Sequence, residues 1–171
     1  MKKGLRLALL GMGFLSSAVF AQGGYLGAGF GSANYSEDNF EDSDTGLNIF
    51  GGMRFNENFA LELSYMDFGK QEDSFYGYDA SVEVTGLGFS VVGILPIDEK
   101  FEIFGKLGLF SWDVDVTLDS YKTSDDGSDA MIGLGAAYHI NEQFDIRAEW
   151  NVIDVDGADL DMLSVGAQFN F

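Results

Sequence analysis

The sequence predicts an all-β protein, an eight-stranded antiparallel up-and-down β-barrel that crosses a membrane. Three observations predict it. Apolar residues alternate with small or polar ones in eight separate segments, which is the period of a strand and not of a helix. The connections alternate between short turns and longer polar stretches, as in a meander with an even number of strands. Beyond the N-terminal segment there is no run of about 18 apolar residues, so a helical crossing is excluded.

Each segment shows the same two-sided pattern. YLGAGFGSA (25–33) sets Leu26, Ala28 and Phe30 against Tyr25, Gly27, Gly29 and Gly31. GLNIFGGMRF (46–55) sets Leu47, Ile49, Met53 and Phe55 against Asn48, Phe50, Gly52 and Arg54. FALELSYMDF (59–68) sets Phe59, Leu61, Leu63 and Tyr65 against Ala60, Glu62 and Ser64. GLGFSVVGIL (86–95) sets Leu87, Phe89, Val91 and Leu95 against Gly86, Gly88 and Ser90. FEIFGKLGLF (101–110) sets Phe101, Ile103, Leu107 and Leu109 against Glu102, Phe104, Lys106 and Gly108. AMIGLGAAYHI (130–140) sets Ile132, Leu134, Tyr138 and Ile140 against Met131, Gly133, Gly135 and His139. FDIRAEWNV (144–152) sets Phe144, Ile146, Ala148, Trp150 and Val152 against Asp145, Arg147, Glu149 and Asn151. DMLSVGAQFNF (161–171) closes the series with Leu163, Val165, Ala167, Phe169 and Phe171 on one face.

Three connections are tight: RFNENFALE (54–62), LPIDEKFEI (95–103) and HINEQFDIR (139–147). Each places Asn or an acid in the turn and Phe at the start of the next strand. The other four are polar, with loops expected near 35–45, 69–80, 117–129 and 154–160. A soluble barrel would turn its bulky apolar face inward and leave Gly-rich strands against water, where Gly weakens them. The inverse assignment fits better. An eight-stranded barrel has a narrow interior. Gly and Ser fit there, with Glu62, Lys106, Arg147 and Glu149 neutralising one another as a luminal charge cluster. The apolar face then meets lipid, and closure satisfies the backbone without water. A secreted soluble barrel or sandwich is the alternative.

Composition narrows the function. The chain has 171 residues, in the range of one domain, and no Cys, so thiolate and disulfide chemistry are excluded. Lys2, Lys3 and Arg6, an apolar run from Leu7 to Leu15, and small residues around Ala21 form the pattern of a secretory signal peptide. Residues 1–21 are therefore expected to be removed, and 22–171 to form the barrel domain. That leader holds three of the nine basic residues and none of the 28 acids, so six basic groups face 28 acidic ones in the remainder, a charge of −22. Such a charge argues against nucleic acid and against anionic surfaces bound by basic patches.

Four fragments carry a family resemblance: FGGMRFNENFALELSYMDFG (50–69), IFGKLGLFSW (103–112), GLGAAYHINEQFDIRAEW (133–150) and MLSVGAQFNF (162–171). In order and in register they resemble the transmembrane domain of outer membrane protein A and its porin-like relatives. The resemblance implies a Gram-negative outer-membrane barrel of the cell envelope, in contact with lipid and lipopolysaccharide. It also implies that Phe171 is an assembly signal read by the outer-membrane assembly machinery. Two departures qualify it. The archetype continues into a peptidoglycan-binding domain, whereas this sequence stops at Phe171, so cell-wall anchoring is not implied. The archetype's luminal Lys and Glu, proposed as part of a gate, match Val92 and Ala137 here.

Catalysis and cofactors are not expected. The single imidazole, His139, lies beside a short turn and reads as filler or lumen lining, because a general base needs a partner within reach. Asp113, Asp115, Asp119, Asp125, Asp126 and Asp129 crowd the third polar stretch, and Asp154, Asp156, Asp159 and Asp161 surround Gly157 in the fourth. Hard oxygen ligands suit divalent cations, but the spacing is not that of an EF-hand. They read as a solvated acidic rim. The function expected is a small structural barrel that supports envelope integrity and presents acidic loops to an extracellular partner the sequence does not name. The alternative is a narrow, low-conductance, porin-like channel.

Overall fold

The structure is a computed structural model that describes residues 23–37, 40–75, 78–118, 121–155 and 158–171. The expected signal peptide lies outside the described residues. Eight strands follow in chain order: β1 (Gly24–Glu37), β2 (Phe40–Asn56), β3 (Phe59–Phe75), β4 (Tyr78–Pro96), β5 (Phe101–Leu118), β6 (Tyr121–His139), β7 (Phe144–Val155) and β8 (Ala158–Asn170). Each pairs antiparallel with the next, and β1 pairs with β8 to close the barrel. The meander and the strand number are those the alternation predicts.

The three tight turns share one device. The side-chain oxygens of Asn56, Asp98 and Asn141 each accept two backbone N–H bonds, from the residues two and three positions on. The third-position donor is the Phe that opens the next strand: Phe59, Phe101 or Phe144. The side chain thus takes over backbone groups that the turn would leave unpaired.

At the other end the structure differs from expectation. The polar stretches expected as long loops are paired strand. The β5–β6 ladder runs unbroken from Phe101↔Tyr138 to Leu118↔Tyr121, and β3–β4 reaches Phe75↔Tyr78. The alternation fades there while the hydrogen-bonded ladder continues, because outside a bilayer neither face must be apolar. One extra residue enters β3 between Asp67 and Lys70, where Gly69 takes φ of 85° and its N–H donates to the Asp67 carboxylate. This β-bulge marks where β3 leaves the apolar belt.

Burial follows the parity. Leu107, Leu109, Phe30 and Leu134 are exposed on the outer wall, and Glu62, Lys106, Arg147 and Glu149 are buried inside. Among the described residues 28 large apolar side chains stand exposed, far more contiguous apolar surface than a water-soluble monomer presents.

Candidate functional site

The lumen is filled by side chains in three layers. Nearest the short turns is a rim network. Arg54 donates to both oxygens of Glu102, at 2.6 and 3.1 Å. His139 Nδ1 lies 2.7 Å from Asp145 Oδ1, and its Nε2 lies 3.6 Å from Glu102. Gln168 and Asn170 donate to the second oxygen of Asp145 at 3.0 and 2.8 Å. The network ties together β2, β5, β6, β7 and β8. Both imidazole nitrogens face carboxylates. A cavity of about 470 Å³ opens beside it, between Arg54, His139, Asn170 and Phe171.

Above the rim the four charged residues singled out in the sequence lie together. Lys106 Nζ is 3.0 Å from Glu62 and 2.9 Å from Glu149. Arg147 Nη2 is 2.9 Å from Glu62 and 2.7 Å from Glu149. Each anion therefore touches both cations, in a closed ring of zero net charge. Tyr25 donates its hydroxyl to Glu62 at 2.8 Å, and Asn48 and Asn151 donate to Glu149 at 2.6 and 2.8 Å. Glu149 is the most heavily bonded member, since Arg147 Nε also donates to it at 2.7 Å. Ionic groups this deeply buried persist only when paired with opposite charge and supported by hydrogen bonds in this way.

Aromatic rings hold the ring of charges in place. The Arg147 guanidinium carbon is 4.1 Å from the Phe50 ring centroid and 4.2 Å from that of Phe104. A guanidinium between two aromatic faces gains dispersion and cation–π attraction. Glycine makes room for the rings. Phe50 lies over Gly27 and Phe104 over Gly135, each its direct cross-strand partner, and a Cβ at either glycine would collide with the ring.

The third layer is apolar. Met66, Phe68, Phe110, Met131, Ile153 and Met162 pack in a buried cluster together with Ala33, Val84 and Leu160. Phe68 and Phe110 meet edge to face at 5.9 Å. Trp112 covers this plug over Gly127, and its indole N–H donates to Asp129.

Sequence reasoning did not isolate the rim network or the plug. Arg54, Glu102 and Asp145 were on the inward parity, which is the signal that could have found the rim. The same parity carries Met66, Phe110, Met131, Ile153 and Met162 inward, which is the signal that could have found the plug. Val92 and Ala137, where the resemblance would place a luminal Lys and Glu, are buried and inward. On the β4–β5 and β6–β7 seams their cross-strand partners are Lys106 and Arg147. The charges thus sit one strand over from the positions the resemblance implies.

A closed barrel with an apolar outer wall and a packed polar interior defines a transmembrane β-barrel of the bacterial outer membrane. The chain belongs to the outer membrane protein beta-barrel domain family, which it matches over residues 7–171. Among solved structures it is similar to Ail, the attachment invasion locus protein of Yersinia pestis, in complex with the heparin analogue sucrose octasulfate. That match has 17% identity and a TM-score of 0.69, covering 88% of this chain and 100% of that one. Neisserial surface protein A matches at 15% identity and a TM-score of 0.71, over 86% of this chain and 97% of that one. The outer membrane protein OprG of Pseudomonas aeruginosa matches at 16% identity and a TM-score of 0.64, over 89% and 98%. At these identities the likeness is one of fold. No curated protein matches the sequence.

Proposed function

We propose that this protein is a structural, non-enzymatic barrel with a sealed lumen that supports the outer membrane and presents its long hairpins to partners outside the cell. The observation that carries this reading is the filled lumen. The charge ring and the Met/Phe plug lie in series, and every ring member is paired. A narrow, low-conductance channel is the rival reading, and two consecutive seals weigh against it. In this reading the short-turn end faces the periplasm and the hairpin end faces outward, as in barrels with short periplasmic turns. Ail, an attachment invasion protein, supports surface contact as a role for this fold. Its sulfated ligand does not transfer, because the hairpins here carry exposed Glu83, Asp113, Asp125 and Asp126, which repel sulfate.

The reading also gives Phe171 a part in assembly, as the family resemblance implies. Phe171 and Gly24 exchange two backbone hydrogen bonds of 2.9 Å across the β1–β8 seam, and the Phe171 ring stacks on Phe169. Protease added to intact cells tests the orientation. Cleavage is expected in the hairpins only. Cutting at Asn56–Asn58 or Asp98–Lys100 before the outer membrane is breached would reverse it.

A further inference from the structure

We propose that the open edge of β6, residues 121–130, is a docking site for an extended basic polypeptide segment, which adds to the sheet as one more strand. The proposal rests on the reading that the hairpins face outward, and names the chemistry of the partner they meet.

The pairing defines the edge. β6 pairs with β5 along its whole length, to Leu118↔Tyr121. Its pairing with β7 begins only at Met131↔Ile153. Beyond Ile153, β7 has only Asp154 and Val155 before it ends. Among the described residues, then, no strand covers Tyr121–Ala130 on the side away from β5. In an antiparallel strand alternate residues direct N–H and C=O to opposite sides, so about half of these backbone groups face outward from the sheet. Such a row is a template for strand addition.

Of the usual edge guards this strand carries only charge, which repels acidic partners and leaves the edge open to a basic one. SDDGSDA (124–130) contains no Pro, and its register with β5 is regular, with no bulge. Ser124, Asp125, Asp126 and Ser128 are exposed. Asp126 lies directly opposite Asp113 on β5, and like charges in that relation are destabilising. An added strand would place its own side chains at the same cross-strand distance on the other flank of Asp126. Lysine or arginine there would relieve the repulsion, and an acidic strand would increase it. The same charge disfavours a second copy pairing edge to edge, since it would bring the same aspartates. Main-chain bonds supply the attachment and the acids supply the selection.

The test uses the barrel in nanodiscs and three synthetic peptides. One alternates Lys with Thr and Val, the second replaces each Lys with Glu, and the third keeps the lysines but has Pro at alternate positions. The expected result is binding of the first peptide on the order of tenfold or more tighter than either other, with new hydrogen-exchange protection at residues 124–130. Reversing the charge with Asp125→Lys and Asp126→Lys should exchange the preference from the basic to the acidic peptide. Equal binding of the Pro-interrupted peptide, or protection elsewhere than β6, overturns the proposal, because attraction would then be charge alone or at another site. Labelled peptide on intact cells separates the two readings. Binding in nanodiscs but not on cells leaves the edge site standing and sinks the outward orientation. Absence of binding in nanodiscs sinks the edge site whatever the cells show.

Discussion

Arg147 is the residue on which the lumen turns. It pairs with Glu62 and Glu149, donates to Gln168 at 3.1 Å, and lies between two phenyl rings. Arg147→Ala leaves two buried carboxylates with Lys106 as their sole cation. Breaking a buried pair by removing one partner costs about 3–5 kcal/mol. Urea unfolding in micelles should show a loss of that order, while Lys100→Ala, at an exposed turn position, should stay near wild type. Equal behaviour of the two variants would remove Arg147 from the stabilising cluster. Arg147→Lys tests the aromatic clamp separately. It keeps the charge and loses the planar stack and fork, so a loss of roughly 1–2 kcal/mol is expected. Gly135→Ala probes the same clamp from the wall. Its new methyl enters the space of the Phe104 ring, and overpacking of this kind costs about 1–3 kcal/mol. A Gly135→Ala barrel with unchanged unfolding would mean that the ring has room to move.

At the scale of the element, the turns and the bulge carry different loads. In the β6–β7 turn, Asn141 Oδ1 satisfies Gln143 N–H and Phe144 N–H. Asn141→Ala removes both bonds from a solvated site, where water replaces part of the loss, so about 1 kcal/mol is expected. The bulge in β3 is less tolerant. Gly69 holds φ of 85°, a region L-residues rarely adopt. Gly69→Val should therefore destabilise the upper β3–β4 ladder more than Gly69→Asn, since Asn tolerates this conformation and a β-branched residue does not. Hydrogen exchange resolved along β3 and β4 would check it. Uniform protection in both variants would mean the bulge can close without cost.

At the scale of the molecule, the two seals in series predict non-additive permeability. Arg147→Ala alone opens the charge ring but leaves the plug, and Phe110→Ala alone thins the plug but leaves the ring. The double variant should conduct ions in planar bilayers far more than the sum of the two singles, while the wild type shows no sustained current. Additive single-variant currents would show one continuous path in place of two barriers. Deleting Phe171 should lower the amount of heat-modifiable, folded barrel in the outer membrane, as a weakened β1–β8 seam and the family resemblance both imply. Wild-type amounts of that band would remove its part in assembly.

The sequence by itself determined the strand number, the meander, the closed wall and which face meets lipid. Each follows from parity, and a one-residue slip would invert every side chain, so alternation at Leu107, Leu109 and their neighbours leaves little freedom. Parity also sent Glu62, Lys106, Arg147 and Glu149 to the same side. It did not determine which inward residues share a level, because that depends on the stagger between strands. The pairing of Val92 with Lys106 and of Ala137 with Arg147, the rim around His139, and the gathering of Met66, Met131 and Met162 from three strands into one plug were decided by the tertiary structure. So was the extent of the hairpins. Outside the bilayer the ladder needs no apolar face, so strand continues where the sequence reads as loop, and β6 outruns β7 to leave an open edge. Local pattern records what lipid demands of each strand. Contacts between strands distant in sequence are set only when the barrel closes.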